Sequence, residues 1–324
     1  MKMRKGRNRD LRHNRMGILG SPLLLSVCVG VGVGVGACGD GKSEDTQREV
    51  QGTLRFSAVV GDALASCTTS YAGLGTTSSE AKLGDARFFV SQIALKDGAG
   101  AWVQPTLTAA NGWQSSGVAL LDFEDKSQAC SDTGTVDVNE KVEFSVPVNA
   151  SVAQQSKGLR FSVGVPFELN HNDSATQPSP FNVPGMFWSW QGGYKFLKVD
   201  WLVDTTSTST ASATTRWNIH IGSTACSAPA ATSPPTAPCG RPNLATIELA
   251  DFDWRTDEIV VDFGALVENA DLSLDHGQAP GCMSSPAEPD DCTGVFSALG
   301  LGFESGACID ACEGQSVFRV QTAP

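Results

Sequence analysis

Two of the chain's four histidines bracket its most aromatic stretch, and that arrangement is where its chemistry should lie. His171 stands in ELNHND, His220 stands in WNIHIG, and between them runs PGMFWSWQGGYKFLKVDW, from Pro184 to Trp201. Imidazole is a good ligand for copper, and thioether sulfur favours its reduced ion. His171 and His220 could therefore converge on a metal, with Met186, Met283, Trp188 or Trp190 close by. The plainer reading is that each histidine is bonded to backbone and that Trp188 and Trp190, two apart on a strand, share one packed face. Exposed indoles also stack on sugar rings, so a carbohydrate platform is a further reading of the same residues.

Other chemistries find little support. No G-x-S-x-G occurs, and no serine or free cysteine has a visible histidine partner. The neighbouring carboxylates Glu124–Asp125 and Asp290–Asp291 read as solvated pairs, and there is no phosphate-binding glycine loop. The chain is acidic, at −12 with 35 acidic and 23 basic residues. No basic stripe offers counterion release to a nucleic acid, which excludes that partner.

The N-terminus explains where the basic residues are. Lys2, Arg4, Lys5, Arg7, Arg9, Arg12 and Arg15 precede an apolar run from Met16 to Ala37, the pattern of a secretory signal. The run ends in Val35-Gly36-Ala37-Cys38, resembling a lipoprotein cleavage box, which makes Cys38 the lipidated first residue of the mature chain. That acylated amine rules out a copper site built on an N-terminal histidine. Residues 1–37 are thus expected to be a lipoprotein signal peptide and 38–52 a lipidated, flexible tether. The domain itself should span 53–324.

Eight cysteines remain in the mature domain: Cys67, Cys130, Cys226, Cys239, Cys282, Cys292, Cys308 and Cys312. In an oxidising compartment they should form four disulfides. Sequence neighbours suggest Cys226–Cys239, Cys282–Cys292 and Cys308–Cys312, which leaves Cys67 with Cys130. A zinc or iron–sulfur site would call for spacings such as C-x₂-C, and none is present.

Short alternating runs then position the candidate residues. Thr53–Val60, Ala86–Leu95, Ala101–Val103, Val118–Phe123, Val142–Val146 and Leu159–Val165 read as strands, with Asp97-Gly98 as a hairpin signal. Tyr194–Val203 and Arg216–Ile221 are expected to pair across the Ser/Thr-rich stretch Thr205–Thr215. Ala245–Leu249, Glu258–Phe263 and Val317–Val320 follow as strands. Thr69–Leu83 and Gln278–Cys292 read as loops, 264–274 as a short helix, and Val295–Phe303 as a segment closing the core. With no long helical stripe, the fold expected is all-β: a single-domain, disulfide-stapled β-sandwich with long loops.

Taken together, the runs GDARFFVSQIAL, GVALLDFED, GLRFSVGVPFELNHND, SPFNVPGMFWSWQGGYKFLKVD, HIGSTAC and GCMSSPAEPDDC resemble the MbnP-type proteins, also called metallo-mystery pair four-Cys motif proteins. The resemblance covers roughly Thr53 to Phe303. It implies an exported β-rich protein of copper homeostasis that is not itself an enzyme. It also implies a partner, an MbnH- or MauG-like di-haem cytochrome c peroxidase, that oxidises a tryptophan to kynurenine. Carried onto this chain, His171 and His220 are the copper ligands, and Trp188 or Trp190 is the oxidised residue. Cys67, Cys130, Cys282 and Cys292 are the family's four cysteines. The expected setting is the periplasm, outer membrane or cell surface of a Gram-negative bacterium, with the lipid at Cys38 as the anchor.

Overall fold

The structure, a computed structural model, describes residues 48–322 apart from 110–111, 131–134, 136, 190, 206–213, 231 and 274–278. The signal segment, Cys38, the tether as far as residue 47, and Trp190 therefore lie outside the described residues. In chain order the strands are β1 (Glu49–Val60), β2 (Ala63–Leu64), β3 (Tyr71–Leu74), β4 (Ser79–Asp97), β5 (Trp102–Val103), β6 (Thr106–Leu107), β7 (Gln114–Ser115), β8 (Val118–Asp122) and β9 (Lys141–Pro147). They continue as β10 (Ser156–Val163), β11 (Phe187–Ser189), β12 (Gly193–Tyr194), β13 (Leu197–Asp204), β14 (Thr214–Ile221), β15 (Ala245–Ala250), β16 (Asp257–Asp262), β17 (Gly281–Cys282) and β18 (Phe318–Thr322). Three short helices are α1 (Phe167–Asn170), α2 (Phe263–Val267) and α3 (Pro289–Ala298). No helix among the described residues is long and apolar enough to cross a membrane.

Two sheets face each other. The smaller runs β18-β16-β1-β9-β6, with β2 on β1. The larger runs β15-β10-β4-β13-β14-β17, with β3, β5 and β8 also on β4 and β7 on β8. Period-two alternation decides which side chains meet. Leu54, Phe56, Ala58 and Val60 of β1 point inward and are buried against Phe88, Val199, Trp201 and Ile219 of the larger sheet. Trp201 and Trp217 are opposite one another in register and fully enclosed in this core. At roughly 25 cal/mol per Å² of apolar surface, such aromatic burial is the main source of stability.

The outer face of the larger sheet is also covered. The segment between β10 and β13 packs Val165, Phe181, Val183, Met186, Tyr194 and Phe196 against Phe89 of β4 and Val118 and Leu120 of β8, a second apolar cluster. Met186 is fully buried in that cluster, so its thioether packs against rings.

Disulfides join Cys67–Cys130, Cys226–Cys239, Cys282–Cys292 and Cys308–Cys312, the pairing of sequence neighbours. As expected, β13 and β14 pair antiparallel.

Four expectations need correction. β1 begins at Glu49, taking in Glu49–Gly52 from the expected tether, because β9 supplies backbone partners as far as Glu49. Thr69–Leu83, expected as a loop, contains β3 and the start of β4, which pair with each other. The helix expected over 264–274 is only α2, capped by the Asp262 carboxylate. The expected loop and closing segment across 278–303 contain α3, which starts at Pro289 and buries Cys292, Val295 and Phe296.

Candidate metal centre

On β14 the inward residues Trp217, Ile219 and Ile221 enter the core, so His220 stands on the opposite face. On the paired strand β13 that face carries Lys198 and Asp200. His220 Nε2 bonds Asp200 Oδ1 at 2.8 Å. An ionised carboxylate only accepts, so Nε2 carries the proton and Nδ1 keeps the lone pair that a metal would use. Such a carboxylate–imidazole pair orients the ligand and raises its basicity. Burial is the largest influence on His220 and pushes its pKa below the ordinary 6.5, although the Asp200 bond and charge oppose it. Burial alone would raise the pKa of Asp200. The His220 hydrogen bond and the Lys198 ammonium outweigh it and hold the carboxylate far below its usual range.

Asp200 is one link in a buried ionic chain along this face. Its Oδ2 meets Lys198 Nζ at 2.9 Å, and Lys198 also meets Asp85. Asp85 Oδ1 accepts from Arg87 Nε at 2.8 Å, and Arg87 lies 3.5 Å from Glu124. Lys126 closes the chain on Glu124 at 3.0 Å and Asp122 at 2.9 Å, so Glu124, expected to be solvated, is instead buried among cations. Burying so many charges is tolerable only because each has an opposite neighbour.

His171 sits at the C-terminal end of α1 and is buried. Its neighbour Asn170 organises the surroundings. Asn170 Oδ1 accepts from the Tyr194 backbone N–H at 2.8 Å, which fixes the amide orientation. Nδ2 then donates to Ser223 Oγ at 2.8 Å and faces His171 Nε2 at 3.2 Å. Gly193 makes this possible: its φ is +72°, and an added Cβ would lie 2.5 Å from Asn170 Oδ1. His171 Nε2 is also 3.4 Å from Cys239 Sγ.

Trp188 is half-buried and lies on the turn that follows His220. A Cβ at Gly222 would meet its Cζ3 at 2.5 Å, so only glycine lets the indole lie there. Ser284 fastens the same turn, donating to the His220 carbonyl at 3.0 Å and accepting from Gly222 N at 3.3 Å. Trp188 lines an open cavity of about 550 Å³ together with Gln191, Ser223, Cys226 and Met283. Tyr194 does not reach it: the ring is fully buried and its hydroxyl donates to the Phe181 carbonyl at 2.8 Å.

The segment from His220 to Cys226 thus borders each candidate: it carries His220, seats Trp188 at Gly222, and meets the clasp beside His171 at Ser223. The two imidazoles keep separate hydrogen-bond partners. Among the described residues the one cluster of three potential donors is His171, Cys226 and Cys239, and it omits His220. Because Cys226 and Cys239 are bonded to each other, that cluster as it stands offers one strong donor, the imidazole. Asp200, Asn170 and Ser223 were not singled out from sequence. Asp200 carried a signal, since it stands two residues from Lys198 on the polar face of a strand. Asn170 and Ser223 gave none, as their roles depend on contacts across the fold.

A family model described as MbnP matches residues 48–284. The chain belongs to the MbnP family. The matched span holds His171, Trp188, His220 and Met283, as well as Cys67, Cys130 and Cys282, and ends ahead of Cys292. Among solved structures, MbnP from Methylosinus trichosporium is similar at 30% identity with a TM-score of 0.70, covering 86% of this chain and 100% of that one. Comparison with curated proteins finds no match. The fold shared with that protein is, in this chain, a β-sandwich with a second apolar cluster on the outer face of its larger sheet.

Proposed function

We propose that this MbnP protein is an exported copper-binding protein, with His171 and His220 as ligands. Trp188 is the residue that a di-haem partner of the MbnH or MauG type oxidises to kynurenine. In this reading the protein is a binder and a substrate, not an enzyme. The observation that carries it is the seat of Trp188 on Gly222, two residues beyond His220, with Asn170 tying the His171 segment to Ser223 in the same turn. His220 fits a metal through Nδ1, since Asp200 already occupies Nε2.

Indole nitrogen only donates and cannot bind a metal. Kynurenine carries an aniline nitrogen and a ketone, which would add donors beside the imidazoles. Trp188 is also the accessible tryptophan of this region among the described residues. Trp201 and Trp217 are enclosed in the core, whereas Trp188 lines an open cavity through which a partner could draw electrons. A sugar platform asks for a broad exposed ring, whereas this one is half-buried, with Gly192 and Gly222 close against it.

Export and lipidation belong to the same proposal, and four disulfides suit an oxidising compartment. The test is metal analysis of protein purified from its native host. Copper is expected in the wild type and absent from a His171→Ala, His220→Ala double variant; copper kept by the variant rejects these ligands. Intact mass and peptide sequencing should find Trp188 converted to kynurenine when the partner is present, and unaltered when it is not. Loss of lipid labelling in Cys38→Ser tests the anchor.

A further inference from the structure

Beside the proposed copper centre lie two sulfurs that its chemistry does not use, and a role for them rests on that reading only for the neighbouring His171. We propose that Cys226, Cys239 and His171 form a dithiol-gated site for a soft, thiophilic metal ion, silent while the two sulfurs are bonded to each other. The site shares His171 with the copper centre but needs neither His220 nor Trp188.

The geometry supplies three conditions. First, the ligand atoms are already gathered. His171 Nε2 and both sulfurs lie within 4.8 Å of one another, and Cys239 Sγ is 3.4 Å from the imidazole nitrogen. Donors around an ion held at about 2.0–2.3 Å stand roughly 3.3–4 Å apart, so modest adjustment completes the set.

Second, the sulfurs are held together by more than their own bond. Thr224 and Arg241 form an antiparallel bridge, with N–H···O distances of 2.9 and 3.0 Å, and Gly240 N donates to the Ala225 carbonyl at 3.0 Å. These backbone bonds clamp both ends of the loop, so opening the disulfide leaves the two thiols side by side.

Third, a hydrogen-bond donor is aimed at them. Ser223 Oγ stands 3.7 Å from Cys226 Sγ and 3.6 Å from Cys239 Sγ. It accepts from Asn170 Nδ2, and a disulfide sulfur has no hydrogen to give, so the Ser223 hydroxyl is the donor toward sulfur. A buried hydroxyl in this orientation stabilises metal-bound thiolates.

Access and chemistry follow. Cys226 lines the open cavity, where a small dithiol can reach it, and Met283 on the same cavity adds a thioether. The dithiol gives up two electrons and closes to its own disulfide. The Cys226–Cys239 bond breaks, and the two protons pass to the freed sulfurs. Metal capture then displaces those protons to solvent. Two thiolates, one imidazole and a nearby thioether suit Cu(I) in particular.

The experiment uses the mature chain under anaerobic conditions. Dithiothreitol is titrated in, and differential alkylation with peptide mass spectrometry reports which bridges have opened. Metal uptake is read with Cu(I) against a competing chelator, and with Co(II) through its thiolate charge-transfer absorption. Opening of Cys226–Cys239 should bring in the charge-transfer band and one equivalent of Cu(I) held against a chelator concentration that strips the closed form. Both should vanish in Cys226→Ser, Cys239→Ser, which keeps the other three bridges, and both should persist in His220→Ala. Equal uptake by the double variant, or free thiols at both positions without uptake, overturns the site. So does a bridge that stays closed while the others open. Cys226→Ala offers a check without reductant, since it leaves the Cys239 thiol beside His171; no cobalt–thiolate band there also overturns the proposal. Loss of copper from oxidised His220→Ala reports on the copper centre alone.

Discussion

His220 is neutral for a reason that can be measured. Its pKa is depressed, chiefly by burial, so the unfolded chain takes up a proton near 6.5 while the folded chain resists. Above 6.5 both states are neutral and nothing is lost. As pH falls from 6.5 toward the folded value, the unfolded state gains the proton and stability declines, by at most about 1.4 kcal/mol per pH unit for one site. Denaturant titrations at stepped pH should show this slope, and His220→Gln should remove part of it. An unchanged slope in the variant would assign the acid loss elsewhere. At Gly222 the argument is steric. Gly222→Ala would place a Cβ 2.5 Å from Trp188 Cζ3 and 2.6 Å from the Tyr194 carbonyl. A carbonyl inside a paired strand cannot retreat, so the indole must move. The expected cost is about 1–3 kcal/mol, with red-shifted tryptophan emission as Trp188 leaves its seat.

Among the elements, the hairpin β11–β12 depends on one side chain borrowed from α1. Asn170 is fully buried, and its amide satisfies the Tyr194 N–H while reaching Ser223 and His171. Asn170→Ala should leave that N–H buried without its partner, costing about 1–3 kcal/mol. Hydrogen exchange at Tyr194 should accelerate more than at Trp201 in the main core, and equal acceleration at both would show global loosening instead of a local clasp. This clasp also marks where sequence reading stops. The strands β10, β13, β14 and β15 were legible because alternation writes one dry face into each. β3 was hidden because its Gly- and Ser-rich surroundings read as a turn. α3 was hidden because a short helix packed on the core shows little periodicity, although Pro289 with Asp290 and Asp291 is a recognisable helix start. His171, Trp188 and His220 stood out as candidates through composition alone. Their supports Asn170, Gly222 and Asp200 required the fold, since each acts on a residue 20 or more positions away.

At the scale of the whole molecule, the covalent bridges close spans of very different length. Cys67–Cys130 closes a span of 63 residues and carries β3, β4 and β8 within it, whereas Cys308–Cys312 closes a span of four. A cross-link stabilises chiefly by restricting the unfolded chain, and the restriction grows with the logarithm of the closed loop. On that basis removing Cys67–Cys130 should cost about 4 kcal/mol and removing Cys308–Cys312 about 2 kcal/mol. Paired alanine variants, compared by denaturant midpoint at equal slope, check the ordering. The contrast matters because both cysteines of the long bridge are fully buried, as are those of Cys282–Cys292, whereas Cys308 of the short bridge is only partly buried. Loss of the long bridge adds a packing defect to the entropic term, so a deficit well above 4 kcal/mol would be expected if the native core cannot close over the smaller side chains. A long-bridge variant no weaker than the short-bridge one would mean that the unfolded chain retains structure over residues 67–130. The stability of the larger sheet would then come from that residual order as well as from the bridge.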